Sequence, residues 1–309
     1  MILKSEKWER FIALPRHTYP CKVNLFTYNT VTSINGEDYT INTKEIKISY
    51  NEVRLLKNGL GKWEQFLLLK QNPLTTNCIP ESTLYSLENL IYLLNRYEYV
   101  YVKHDSTGQG RAIYKVYKRK DGHYCFNGFT MQGKEINKCV AAIEDFHQVL
   151  HPYEKHGRLS GNYIIQEGVM SLTPNGDSIS IRVHVQNLKG KWIIGGIYGR
   201  IATEDHGIVN SNRGSQIISI DELLSVYMMM DNTKKDKTID SLKKDSILAS
   251  EVIASHFPCR EYGIDFGIDH KGKPLLFEVN TTPSISSFAK IDKAIWKKIV
   301  EIRKMQNEG

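Results

Sequence analysis

Apolar and polar residues alternate with a period of two along much of this chain, which predicts a sheet-rich protein. The pattern is cleanest in residues 262–283. Ile264, Phe266 and Ile268 alternate with Gly263, Asp265, Gly267 and Asp269. After a turn, Leu275, Phe277 and Val279 alternate with Leu276, Glu278 and Asn280. These two runs predict a β-hairpin. With residues 270–273 as its loop, Asp269 faces Pro274, and that register sets Asp265 opposite Glu278 with Asn280 further along the same face.

Other runs fill in the rest. Residues 97–103 and 111–118 predict a second hairpin around a Ser/Thr/Gly loop, and residues 163–167, 178–186 and 191–203 predict a meander. In the second of these, Ile179, Ile181, Val183 and Val185 point to the core, while Ser180, Arg182, His184 and Gln186 point away. In the third, Trp192, Ile194, Gly196, Tyr198 and Arg200 share a face. Helical signals mark a helix opened by residues 59–63 and running through about Lys70, a stripe of Leu87, Leu90, Ile91 and Leu94 behind a Ser86 cap, and a helix over about 135–150 carrying Cys139, Ile143, Phe146 and Leu150. Further helices are expected over 221–230, up to about His256 with Leu242, Leu248, Ala249, Val252 and Ile253 inward, and over 291–304; residues 232–240 read as a charged, exposed connector. Short alternating runs in residues 1–55, such as 39–43 and 45–49, with an Asn35-Gly36 turn predict a small β-rich lobe.

The 309 residues carry 41 Lys+Arg against 34 Asp+Glu, so the net charge of +7 favours anionic small ligands such as nucleotides. Basic and aromatic residues are not clustered as nucleic-acid binding requires. Five scattered cysteines without a CxxC pair predict reduced thiols, with neither zinc nor a disulfide framework. Charges in residues 1–10 stand where a signal peptide needs an apolar run, and no segment approaches the roughly 20 apolar residues of a membrane span. A soluble, cytoplasmic protein is expected.

The hairpin of 262–283 carries the chemistry. Two carboxylates facing across antiparallel strands repel unless a cation lies between them, and two acids plus an amide oxygen suit Mg²⁺ with water and phosphate completing its shell. The alternative is a solvated sheet face with incidental acids. Lys103 and the loop Ser106-Thr107-Gly108-Gln109-Gly110 suit a flap over phosphates, or an ordinary turn. The loop is not a Walker A motif, because no Gly-Lys-Ser/Thr leads into a helix. Arg182 and Arg200 are either edge residues that snorkel or guanidinium forks aimed at phosphate or carboxylate. Lys62 is either a ligand or simply exposed. The methionines of 228–230 read as core packing, and the lysines of 291–304 as a solvated face.

A helix-borne lysine, a lysine-plus-glycine hairpin, an arginine-lined meander and an acidic hairpin with Asp…Glu-x-Asn follow one another in that order over about 59–287. That order resembles the ATP-grasp superfamily, which includes D-alanine–D-alanine ligase and glutamate-adding ligases, and within it the YheC/YheD-type branch associated with bacterial spore coats. The resemblance implies an α+β ATP-grasp fold, with two lobes holding a nucleotide between antiparallel sheets and a small β-rich N-terminal lobe. The expected domains are 1–58, 59–162 with the flap, and 163–309 with the magnesium site. It also implies an ATP-dependent carboxylate–amine ligase acting through an acyl phosphate. Kinase-type phosphotransfer and a non-catalytic nucleotide-binding coat protein are the alternatives.

Carried over by residue, Lys62, Lys103 and the flap (Ser106, Thr107, Gly108, Gly110) resemble the phosphate-binding groups. Gln166, Glu167, Gly168 and Val169 resemble the hinge that holds adenine by its backbone and the ribose by an acid. Arg182 and Arg200 resemble the catalytic arginines. Asn210, Asn212 and Gly214 resemble the substrate loop, and Asp265, Glu278 and Asn280 match the magnesium ligands; His184, read from the residues alone, is a structural or substrate-lining histidine. ATP and Mg²⁺ are the implied cofactors. The implied partners are an amine and a small-molecule, peptide or carrier-linked carboxylate, with no nucleic acid and no membrane. His104 stands where the family usually has proline, Ser180 where an Asp-x-Arg pair is common, and Ser284 where glycine is frequent after Pro283.

Overall fold

The computed structural model describes residues 31–34, 37–40, 60–152, 154–156, 160–202, 209 and 214–308, and the chain forms two contact units, Met1–Asn58 and Gly59–Gly309. In the first unit, β1 (Val31–Ile34) and β2 (Glu37–Thr40) pair antiparallel with Ile34 opposite Glu37, on either side of the Asn35-Gly36 pair. The run at 45–49 lies outside the described residues.

The second unit holds two antiparallel sheets. The first consists of β3 (Ser82–Leu84), β4 (Tyr99–His104), β5 (Ile113–Lys118), β6 (Tyr124–Phe129), β7 (Glu135–Val140) and β8 (Tyr163–Glu167), in the order β3-β8-β4-β5-β6-β7. Because β8 pairs with β4, residues 163–167 belong to this sheet and not, as the expected boundary at 162/163 had it, to the C-terminal lobe. Helices α2 (Leu87–Leu94) and α3 (Glu144–Leu150) cover one face, burying Leu90, Leu93 and Phe146 against Val100, Val102 and Val116. Ser86 caps α2, its hydroxyl accepting the Asn89 N–H at 3.0 Å.

The helix expected over 135–150 is corrected to a strand and a shorter helix. Residues 135–140 alternate as an edge strand, and the register places Cys139 directly opposite Cys125. The two are disulfide-bonded, and Cys259 is disulfide-bonded as well, which overturns the expectation of reduced thiols. The missed strand is the reason: a cysteine assigned to a helix stripe has no cross-strand partner.

The second sheet has the order β11-β10-β9-β12-β13, from β9 (Ile179–Leu188), β10 (Lys191–Ile201), β11 (Gln216–Ser219), β12 (Glu261–Ile268) and β13 (Pro274–Asn280). One face packs on α4 (Asn232–Ala254) and on α1 (Lys62–Gln71), with Val183, Leu242, Ile253 and Ile264 fully buried. The supposed connector 232–240 is the first part of α4. Asp231 starts it by accepting the Lys234 N–H at 2.8 Å, and Thr238 and Leu242 already face the core. The expected helix at 221–230 is instead a single helical turn, Ile220–Glu222, running into a π turn, Leu223–Tyr227. The opposite face is covered at one end by α5 (Ser286–Ile291) and α6 (Lys293–Glu308), through Phe288 and Ile299.

A bulge in β10 corrects the shared face expected for Trp192 to Arg200. The register shifts between Ile194 and Gly196, so Trp192 packs in the α4-side core with Ile197 and Ile201, while Tyr198 and Arg200 emerge on the other side. Among the described residues no helix is long and apolar enough to cross a membrane.

Candidate active site

Three adjacent strands set the charged row of the site. Arg182 on β9 pairs with Asp265 on β12, and Asp265 with Glu278 on β13. The register expected from alternation holds at Asp265–Glu278 but is offset by one nearer the turn, where Ile268 faces Pro274. Phe277, unpaired between Leu276 and Glu278, absorbs the difference as a bulge. Arg182 grips Asp265 bidentately, Nε to Oδ1 at 2.6 Å and NH2 to Oδ2 at 2.7 Å; Arg200 NH1 donates to Oδ1 at 3.1 Å and Asn280 Nδ2 to Oδ2 at 3.1 Å. Burial pushes the Asp265 carboxyl up, and the two guanidiniums more than reverse it, so its pKa lies below the ordinary carboxylate value. Gly263 stands where a Cβ would meet Arg182 NH1 at 2.5 Å and Pro283 at 2.7 Å, so the glycine lets the guanidinium lie flat over β12.

The other wall comes from β4 and β8. Lys103 Nζ donates to Gln166 Oε1 at 2.5 Å and lies 5.5 Å from the ring centres of both Tyr101 and Phe277. Burial is the main reason its pKa is pulled down to about 8; Glu278 and Asp265 oppose the shift and Lys62 adds to it. At the end of β4, the tautomer of His104 is set by its neighbours. The Ser160 carbonyl, 2.9 Å from Nε2, can only accept, and the Ser106 N–H, 3.2 Å from Nδ1, can only donate. Burial lowers the His104 pKa and favours this neutral form. A Cβ on Gly161 would lie 2.3 Å from Nε2, so His104 fits here only against a glycine.

Lys62, the first residue of α1, joins the walls. Its Nζ donates to the Thr107 carbonyl at 2.6 Å and lies 3.3 Å from Glu278 Oε1. Gln65, one turn along, accepts the Val279 N–H at 2.8 Å and so ties α1 to the edge strand β13.

The space between the walls is a cleft of about 360 Å³. Of the residues singled out in the sequence, Lys62, Lys103, Thr107, Gly108, Gly110, Gln166 and Val169 line it from one side, and Arg182, Arg200, Asp265, Glu278 and Asn280 from the other. Among the described lining residues, five cations (with Arg111) face two carboxylates, so the cleft favours an anion.

Others do not reach it. His184 lies fully buried beneath α5 and α6, its Nε2 3.3 Å from Glu261 and its ring 5.8 Å from Phe288, the placement of a structural histidine and not of one that lines the cleft. The Glu167 carboxylate accepts the Glu81 N–H at 2.8 Å and lies outside the described lining of the cleft. Gly168 packs against Tyr99, where a Cβ would lie 2.3 Å from the Tyr99 carbonyl; Ser106 and Gly214 also lie outside the described lining. Asn210 and Asn212 are outside the described residues. The structure adds Tyr99, Tyr101, Arg111, Tyr198 and Phe277 to the lining. Alternation from Lys103 back through Tyr101 and Tyr99 signals two of them; the bulge hides Phe277.

A family model described as YheC/D like ATP-grasp matches residues 55–304. The chain belongs to the YheC/D-like ATP-grasp family. The order of its motifs had already indicated this, and the expected α+β ATP-grasp fold holds. The chain is 30% identical over 239 residues to the endospore coat-associated protein YheD of Bacillus subtilis (strain 168), covering 75% of this chain and 50% of that protein. It therefore spans about half the length of this curated relative. Among solved structures it is similar to the D-cycloserine synthetase DcsG (13% identity, TM-score 0.49, 82% of this chain and 72% of that one). It is also similar to the D-alanyl-alanine synthetase A of Vibrio cholerae O1 biovar eltor str. N16961 (13% identity, TM-score 0.46, 81% and 66%).

The residues of this YheC/D-like chain fit magnesium by their chemistry. Asp265, Glu278 and Asn280 present hard oxygens from neighbouring strands. Asp265 already accepts four donors, whereas the side chain of Glu278 is 29% exposed and paired with Lys62, which makes Glu278 the more available carboxylate. Among the described residues no three His, Cys, Asp or Glu gather to hold a metal by themselves. An ion here takes its remaining oxygens from outside the protein, as one bound together with phosphates does.

Proposed function

We propose that this chain is an ATP-dependent carboxylate–amine ligase that forms an amide through an acyl phosphate and releases ADP and phosphate. The observation that carries the reading is the one cleft in which cations from a flap-bearing sheet face an Arg–Asp–Glu row on a second sheet. A carboxylate oxygen of the substrate attacks the γ-phosphorus and the bond to the β–γ bridging oxygen breaks, giving ADP and an acyl phosphate. The amine nitrogen then attacks the acyl carbon, the carbon–oxygen bond to phosphate breaks, and the nitrogen gives up a proton. The groups in transit are densely anionic, so catalysis rests on positioning and charge.

Lys103 and Lys62 meet the phosphates from below the flap. Arg182 and Arg200 stabilise the transferring phosphoryl group as they loosen from Asp265. Glu278, Asn280 and Asp265 would hold magnesium, which would supply positive charge against the phosphate oxygens. The carboxylate is a small molecule, a peptide or a carrier-linked acid.

A second reading, a nucleotide-binding coat protein without turnover, is favoured by the coat-associated name of the Bacillus subtilis relative. The full set of Lys62, Lys103, Arg182, Asp265, Glu278 and Asn280 around one cleft supports the enzyme instead. ADP release measured against a panel of amino acids, peptides and carrier-linked acids separates the readings. Amide product is expected, a stable phosphorylated product without amide identifies a kinase, and no release with any acid favours the coat protein. Glu278→Gln is expected to abolish ADP formation with an unchanged melting curve; near-normal turnover would remove the metal assignment.

A further inference from the structure

We propose that Asp105 is a positioning residue that caps helix α1 from the root of the flap and so fixes the flap relative to Lys62. The proposal rests on the nucleotide-site reading above.

The first turn of a helix leaves N–H groups without intrahelical partners, and the residue before it usually supplies an acceptor. Here that residue is Gly61, which has no side chain to offer. The acceptors come instead from Asp105, 43 residues beyond Lys62. The Asp105 carbonyl takes the Lys62 N–H at 3.1 Å, and Asp105 Oδ1 takes the Trp63 N–H at 2.8 Å. A carboxylate at this end also complements the helix dipole. Gly61 makes the approach possible: a Cβ there would stand 2.4 Å from Asp105 Oδ2.

Asp105 is also where the flap begins. It follows the last residue of β4, and its own N–H donates to the Asn162 carbonyl at 2.9 Å, which anchors it to the chain entering β8. Two residues on, the Thr107 carbonyl receives Lys62 Nζ at 2.6 Å. One carboxylate thus sets the start of the flap, the start of α1 and the spacing between Lys62 and the flap backbone. Without it, Lys62 and the flap are held to each other by the Asp105 carbonyl at the Lys62 N–H and by the lysine's own flexible four-carbon stem.

The test is amide hydrogen exchange without nucleotide, followed by titration with Mg-ADP, on wild type, Asp105→Ala, Asp105→Asn and Gly61→Ala. In Asp105→Ala, exchange at the Trp63 amide and across 106–111 is expected to quicken, and Kd for Mg-ADP to rise about 2- to 30-fold, the range of a lost cap. Asp105→Asn keeps an acceptor oxygen and is expected to restore most of both. Gly61→Ala, which displaces the carboxylate without touching it, is expected to behave like Asp105→Ala. A lower Tm in Asp105→Ala with unaltered flap exchange and affinity overturns the proposal, because the cap is then local. Equal loss in Asp105→Asn overturns it as well. Failure of wild type to bind nucleotide removes the ligase reading alone, since the exchange data decide the cap without it.

Discussion

On the wall built from β10, β9, β12 and β13, the arginines meet a carboxylate, Asp265 serving Arg182 and Arg200 together. On the opposite wall Lys103 is held by the neutral Gln166 and two aromatic rings. The consequences for charge are opposite. Arg182 has its pKa raised well above the ordinary arginine value, because Asp265 outweighs burial, whereas Lys103 falls to about 8 because burial wins. A paired cation has to exchange partners to receive phosphate and keeps its wall rigid until it does. A cation without a charged hydrogen-bond partner gains most from an arriving anion. One wall is preorganised by ion pairing, and the other is left to be completed by ligand.

The largest effect that tests this contrast is on stability. Asp265→Ala leaves two guanidiniums, with side chains 12% and 6% exposed, facing each other without their shared carboxylate. A loss of about 3–5 kcal/mol is expected, read as a fall in Tm and in the denaturant midpoint. A Tm within a degree or two of wild type would show that water, not Asp265, compensates the arginines.

Lys103→Met is expected to do the reverse. Removing a desolvated charge leaves stability unchanged or raised, while Mg-ATP affinity falls about 10- to 100-fold with the loss of a charge-assisted contact. Titration calorimetry beside a melting curve separates the two, and a variant that melts early but binds normally contradicts the division between the walls.

The smallest effect is the dependence on pH. Lys103 is protonated below about pH 8 in the free protein, and bound phosphate raises that value. Nucleotide affinity is therefore flat below pH 8 and falls above it by up to about tenfold per unit, and this decline disappears in Lys103→Met. The stability sign is opposite. The folded-state pKa is lowered, so the unfolded chain holds this proton more tightly, and stability rises with pH from about 8 toward the ordinary lysine value of 10.5.

Much of the second sheet was legible because its signal is local. Alternation alone placed Asp265 opposite Glu278, and Arg182 on the face away from Val183. It failed where a single inserted residue reverses the parity: the bulge at Gly195 parts Trp192 from Tyr198 and Arg200, and the bulge at Phe277 brings an aromatic ring to the cleft beside Glu278. The adjacent glycines 195 and 196 were the available warning. The first sheet was less legible. The edge strand β7 ends in an apolar run, Cys139 to Ile143, that continues toward α3, and only pairing with β6 separates strand from helix and joins Cys125 to Cys139.

His184 and Arg182 mark the limit. They lie two residues apart on one strand and point to the same face, which the amino-acid sequence does determine. One is sealed under Phe288 and Ile299 and the other opens on the cleft, because α5 and α6 cover only one end of that face. Side-chain direction is a property of neighbouring residues, whereas burial and chemical availability depend on what long-range packing lays on top. The chain by itself determined the order of its cations and acids, their faces where no bulge intervenes, and the family they belong to. Tertiary structure alone decided which of them share a cleft, which are already paired, and that the cap of Lys62's helix arrives from the flap.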